Sequence, residues 1–135
     1  MQSITGIPVF GKKVFLRADL DVSVQNGEVG DDTRLKASLK TIQYLLDQGA
    51  IVIVVGHMGR PEGVDRSLSL EPVARWYKSN FQFSIFNFQS IGNFEGWKLS
   101  DNFFVLENLR FYPGEEASDP ELAKRLADIA DMYVN

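Results

Sequence analysis

Residues 51–61 read IVIVVGHMGRP. Five β-branched residues in a row predict a strand covered on both faces, as in a parallel sheet between helices. The polar alternation of a half-solvated strand is missing. The run halts at Gly56, and then come the one histidine of the chain, His57, and Arg60 between Gly59 and Pro61.

Upstream, residues 33–48 carry a helical stripe, with Leu35, Leu39, Ile42 and Leu46 at i, i+4, i+7 and i+11. Asp31 and Asp32 suit its N-cap, and Gly49 suits its stop. SVQNGEVGDD (23–32) reads as loop or hairpin around Asn-Gly, and VFLRADL (14–20) as the first strand. Downstream, a helix is expected from about Leu70 to Ser79, with Ser69 as cap, Pro72 in its first turn, and Val73, Trp76 and Tyr77 facing the core. FQFSIF (81–86) and FFVLEN (103–108) read as strands, and the stretch between them, with two glycines, as a loop. Residues 118–131 read as a third helix, with Ser118 and Glu121 as capping box and Leu122, Leu126 and Ile129 as buried stripe. MYVN (132–135) begins another strand. Strands alternating with helices predict an α/β fold: an open parallel sheet, Rossmann-like and three-layered, with helices on both faces and right-handed crossovers.

The whole chain sets bounds on function. Its 135 residues suit one core, and 44% apolar content is ordinary. Net charge is −4 and no Lys/Arg run exceeds two residues, which argues against a nucleic-acid partner. There is no cysteine, hence no disulfide or thiolate metal site, and one histidine makes zinc a poor expectation. No apolar run approaches the roughly 18 residues of a membrane span, and the first residues lack the apolar stretch of a signal peptide. These features point to a soluble, cytoplasmic protein without a membrane partner. Neither G-x-G-x-x-G nor G-x-x-x-x-G-K-[ST] occurs, no Ser/His/Asp triad can be argued, and the phenylalanines of 81–104 read as core.

An open parallel sheet binds ligands beyond the carboxyl ends of its strands. His57 and Arg60 follow one such end, Asp19 and Asp21 close the first strand, Arg110 follows the FFVLEN strand, and Arg34 opens the first helix from the same rim. Guanidinium groups match phosphate and carboxylate oxygens, and a helix N-terminus adds N–H donors and positive potential. The set suits a small molecule with more than one anionic group, with Asp19 and Asp21 orienting hydroxyls or arginines. Each residue alone also has an ordinary reading: a solvated histidine, turn carboxylates, a helix-terminal arginine, and a surface pair of Arg110 with Glu115 or Glu116.

These segments resemble the N-terminal, phosphoglycerate-binding lobe of phosphoglycerate kinase. The resemblance is collinear through KKVFLRADLDV (12–22), GDDTRLKASLKTIQYLLDQGA (30–50), GHMGRPEG (56–63), SLEPVA (69–74), VLENLRFYPGEE (105–116) and DPELAKRLADIADMYVN (119–135). It implies reversible phosphoryl transfer between 1,3-bisphosphoglycerate and magnesium ADP in glycolysis, by two lobes that close about a hinge. It implies contacts to 3-phosphoglycerate from Asp19, Arg34, His57, Arg60 and Arg110, with Leu20, Asp21, Met58 and Gly59 beside them. Arg34 matches the arginine that steadies the transferring phosphoryl group, so it is the candidate catalytic residue. Magnesium nucleotide (ADP or ATP) is expected on the other lobe, and no metal or nucleotide on this chain.

Two departures stand out. The family pattern D-[FL]-N reads Asp19-Leu20-Asp21 here, followed by Ser23 in place of a proline. An ionised carboxylate cannot donate a hydrogen bond, and two such charges about 4 Å apart repel by about 4 kcal/mol at an effective dielectric near 20. Asp21 is therefore expected to weaken binding of a phosphoglycerate. Residues 1–135 also read as a partial lobe, without the family's D-A-F-G loop, a further substrate arginine, the hinge and the nucleotide-binding C-terminal domain. Inactivity of this chain alone, marginal stability, and self-association through an exposed sheet edge are the expectations. The other readings are a non-catalytic anion-binding module and a structural fragment.

Overall fold

The computed structural model describes residues 6–59, 66–111, 124, 125 and 127–134, with backbone only at Arg66 and Arg110. Its elements are β1 (Lys13–Arg17), β2 (Val24–Gln25), β3 (Glu28–Val29), α1 (Thr33–Asp47), β4 (Ile51–Val55), α2 (Glu71–Phe81), β5 (Asn87–Ile91), β6 (Phe94–Ser100), β7 (Phe103–Leu106) and β8 (Met132–Val134). Single 3₁₀ turns occupy Arg66–Leu68 and Leu109–Phe111.

One six-stranded sheet runs β5-β6-β7-β4-β1-β8. Its centre is parallel: β4 pairs with β1 and β7, and β1 also pairs with β8. From β1 to β4 to β7 the chain steps one way across the sheet, and right-handed crossovers of shared direction put their helices on one face. There Leu35, Ile42 and Leu45 of α1 and Val73, Ala74 and Tyr77 of α2 join Val14, Leu16, Val52, Val54, Phe103 and Val105. The chain then returns to β8 beyond β1, and the described residues just ahead of β8 cover the opposite face. There Ile129 and Ala130 pack with Phe15, Ile53, Val55, Leu106 and Leu109. Both faces of IVIVV are thus covered, as its unbroken apolar run requires. Half of the expected third helix, including Ser118, Glu121, Leu122 and Leu126, lies outside the described residues.

The open α/β class holds, but the sheet is mixed. The expected loop 87–102 is mostly the β5–β6 hairpin, antiparallel within itself and against β7. Glycines suggested a loop, yet Gly96 sits inside β6 for a packing reason. A Cβ there would strike the Val105 carbonyl oxygen and come within 2.8 Å of Leu106 Cα. Conversely, FQFSIF is not a strand. Phe81 closes α2, and Gln82 turns the chain in the left-handed region at φ 58°. The rings of Phe81 and Phe83 then reach the same partner, Phe103, with centroids 5.8 and 5.2 Å away. Their every-other-residue spacing reflects this turn rather than a pleat.

Smaller differences concern ends. β1 stops at Arg17, three residues before the expected Leu20. Asp32 holds the N-cap position of α1 without a side-chain cap bond. Asp31 accepts from Thr33 N at 3.0 Å and Thr33 Oγ1 at 2.7 Å instead, which lowers its carboxyl pKa. Asp32 accepts from Trp76 Nε1 at 3.1 Å, so Trp76 is only half-buried. The Asn-Gly pair makes a two-residue hairpin between β2 and β3, with positive φ at Asn26 and Gly27.

Candidate functional site

Parallel pairing sets the carboxyl ends of β1, β4 and β7 side by side, with Arg17 opposite Val55 and Val54 opposite Val105. Ala18 N donates to the Val55 carbonyl at 3.0 Å, and Leu109 N to the Gly56 carbonyl at 3.0 Å. Three strand-end loops are thereby tied to one rim. The direction of chain progress reverses between β1 and β8, and an open α/β sheet leaves its binding crevice at such a reversal.

A recess of ≈ 400 Å³ opens on this rim at the carboxyl ends of β1 and β4, lined by Arg17, Ala18, Asp19, Leu20, Asp21, Arg34 and His57. Three stretches distant in sequence converge on it. Arg34, the second residue of α1, donates through Nη1 to the Asp21 carbonyl at 2.7 Å. Its Nε lies 3.6 Å from Asp19 Oδ2, with more than half of each side chain exposed. Asp19 Oδ1 accepts from Asp21 N at 3.2 Å, a local turn that sets the loop after β1. The Asp21 carboxylate faces the next loop, where Oδ1 accepts from Gly59 N at 3.2 Å. His57 is half-buried at the end of β4.

The remaining expected residues are placed differently. Leu20 is 1% exposed and belongs to the core, so it forms the floor of the recess. Met58 is also a core side chain, and its carbonyl is buried against Asn108 Nδ2, 2.7 Å away. Gly59 joins the site through its amide. Arg60 lies outside the described residues. Arg110 has its backbone in the turn after β7, at the rim, and its side chain lies outside the described residues.

Three residues of the site were not singled out by sequence reasoning. Arg17 ends β1 and lines the recess; its signal was a guanidinium directly after the apolar Val14-Phe15-Leu16 run. Glu107 and Asn108, read as the end of a strand, are the two buried polar residues among those described. The Glu107 carboxylate accepts from Ser69 Oγ at 2.6 Å, Leu70 N at 2.7 Å and Asn108 N at 2.8 Å. It thus holds the positive end of α2, where a carboxylate is favoured. Asn108 Nδ2 donates to the Met58 carbonyl at 2.7 Å and the Leu68 carbonyl at 2.9 Å. Among the described residues, no three His, Cys, Asp or Glu side chains gather to hold a metal ion.

The sequence model of the phosphoglycerate kinase family matches residues 4–135. The chain belongs to the phosphoglycerate kinase family. It is 43% identical over 130 residues to the phosphoglycerate kinase of Dictyoglomus turgidum, covering 93% of this chain and 33% of that enzyme. It is 44% identical over 131 residues to the cytosolic phosphoglycerate kinase of Triticum aestivum, with the same coverage. Solved phosphoglycerate kinases share the fold. The Coxiella burnetii structure aligns with TM-score 0.80 and 29% identity over 98% of this chain and 34% of its own. The Pyrococcus horikoshii structure aligns with TM-score 0.75 and 30% identity over 100% and 36%. The chain therefore spans about a third of the length of these phosphoglycerate kinases.

Proposed function

We propose that the recess binds the phosphoglycerate of a phosphoglycerate kinase, and that with the rest of such an enzyme it serves reversible phosphoryl transfer between 1,3-bisphosphoglycerate and ADP in glycolysis. The observation that carries this reading is the convergence of Asp19, Arg34 and His57 on one rim recess in a chain of that family. Arg34 would meet phosphoryl oxygens with a fork of donors, where charge spreads during transfer. His57 would bond an anionic oxygen, and Asp19 would hold Arg34 in aim. Arg60 and Arg110 complete the anion cradle in this proposal. The proposal places no magnesium nucleotide on this chain. That group is assigned to the other lobe, and residues 1–135 to the phosphoglycerate-binding side. A cytoplasmic location fits this role, and no helix among the described residues is long and apolar enough to cross a membrane.

Asp21 supports a second reading, an anion-binding module without transfer activity of its own. Its carboxylate brings negative charge to within 3.2 Å of the Gly59 amide, which an anionic ligand would otherwise favour. An amide-resolved NMR titration with 3-phosphoglycerate at fixed ionic strength, with sulfate as control, tests the proposal. Saturable shifts at Asp19, Arg34, His57, Arg60 and Arg110, stronger than with sulfate, are expected. Equal response to sulfate would leave only a general anion site. No localised shift in a folded sample would remove the substrate assignment.

A further inference from the structure

We infer that Asn108 and Asp21 are positioning residues that clamp one peptide unit, Met58–Gly59, and so fix the backbone that leads from His57 along the recess. The two atoms they hold belong to the same planar group. Asn108 Nδ2 donates to the Met58 carbonyl at 2.7 Å, and Gly59 N donates to Asp21 Oδ1 at 3.2 Å. A peptide unit is rigid, so anchoring its carbonyl on one side and its N–H on the other stops it turning over.

The need for a clamp comes from Gly59 itself. Its φ is +62°, a region glycine enters freely, and glycine is equally free to leave it. Nothing intrinsic to His-Met-Gly sets the direction of that N–H. The clamp supplies it from two other loops. Asn108 is 0% exposed, and its second bond, to the Leu68 carbonyl at 2.9 Å, fixes the amide in place. Its own N–H is held by Glu107 Oε1 at 2.8 Å. Asp21 is held in turn by Asp19 at its N–H and by Arg34 at its carbonyl. A continuous run of hydrogen bonds therefore joins Arg34 and Asp19, on one side of the recess, to Asn108 behind it.

The acceptor role of Asp21 is separable from its charge. An asparagine Oδ1 at position 21 would take the same Gly59 N–H without a negative charge. Asp21→Asn should keep the clamp, whereas Asp21→Ala should release one end of it and Asn108→Ala the other.

The experiment uses the ¹⁵N-labelled 135-residue chain and reads amide hydrogen exchange at Gly59, first without ligand. Losing one anchoring bond is expected to speed Gly59 exchange at least about tenfold in Asp21→Ala and in Asn108→Ala. In Asp21→Asn the rate should stay within about threefold of the parent, and Leu45 in α1 should exchange alike in all folded variants. Should Asn108→Ala fail to fold, the contrast between Asp21→Ala and Asp21→Asn still decides the matter. Unchanged Gly59 exchange in Asp21→Ala, or equal acceleration in Asp21→Asn, would overturn the clamp. Its bearing on affinity rests on the phosphoglycerate reading, so the same samples are then titrated with 3-phosphoglycerate. Absence of binding by the parent with the exchange contrast intact would overturn the substrate and leave the clamp standing. Binding without the contrast would do the reverse.

Discussion

Tyr77 and Ser38 meet in the core with their hydroxyl oxygens 2.6 Å apart. Ser38 donates its proton to the Leu35 carbonyl at 2.6 Å, so Tyr77 must be the donor to Ser38. Tyr77→Phe removes both the donor and the need for an acceptor, and is expected to cost about 0–1 kcal/mol. Ser38→Ala strands a buried phenol, and about 1–3 kcal/mol is expected by denaturant unfolding. Equal costs would contradict this donor assignment. Burial also pushes the Tyr77 phenol from 10.0 up to about 12. Folding thus favours the neutral form, so this contribution is full below pH 10 and is lost as pH rises toward about 12. The loss, on the order of 2–3 kcal/mol, should vanish from the alkaline stability profile of Tyr77→Phe. Arg34 contrasts with this pair. Its exposed contact with Asp19 is worth about 0–1 kcal/mol, so Arg34→Ala should leave the unfolding midpoint nearly unchanged. In a complete phosphoglycerate kinase carrying this segment, the same change is expected to lower kcat about a hundredfold or more, with KM altered far less. Equal losses in kcat and 1/KM would count against transition-state charge as its role.

The β5–β6 hairpin shows how one element depends on its neighbour. Phe94, Trp97 and Leu99 are buried from β6, and Phe88 packs across the hairpin on Trp97 with ring centroids 5.0 Å apart. Next to the contact at Gly96, Glu107 N donates to the Glu95 carbonyl at 2.9 Å. A methyl group at position 96 would drive β6 from the end of β7, where Glu107 and Asn108 begin. Gly96→Ala is expected to cost about 1–3 kcal/mol, with a red shift in the emission of Trp97, now 3% exposed. An unchanged midpoint would show that β7 yields at no cost. This hairpin was hard to read from sequence because a glycine in a strand and a glycine in a loop look alike until the opposing backbone is known. FQFSIF failed for the complementary reason. Its spacing matched a pleat, and a single left-handed residue, Gln82, produced the same spacing of partly buried rings.

Across the sheet as a whole, the two outer strands differ in kind. β5 shows Asn87, Gln89 and Ser90 to solvent beside Phe88, a mostly polar edge. β8 is Met-Tyr-Val, with Tyr133 52% exposed and pairing to β1 on one side among the described residues. An apolar edge of this kind templates association. Sedimentation velocity over a tenfold concentration range is expected to show self-association that Tyr133→Lys reduces. A concentration-independent monomer that unfolds cooperatively at a high midpoint would contradict it.

What could be read without coordinates was whatever depends on a segment's own pattern. The unbroken apolar run of IVIVV required cover on both faces, the stripe of Leu35, Leu39 and Ile42 required a helix on a core, and their alternation implied the α/β order. That order in turn placed Asp19, Arg34 and His57 at one rim. The positions that stayed unread, Asn108, Glu107, Gly96 and Gln82, take their meaning from partners supplied by other segments. Asn108 reaches back 50 residues to Met58 and 40 to Leu68, and nothing local marks it. A hydrogen bond between distant loops exists only once the sheet has set the loops side by side, so such roles are properties of packing rather than of spacing.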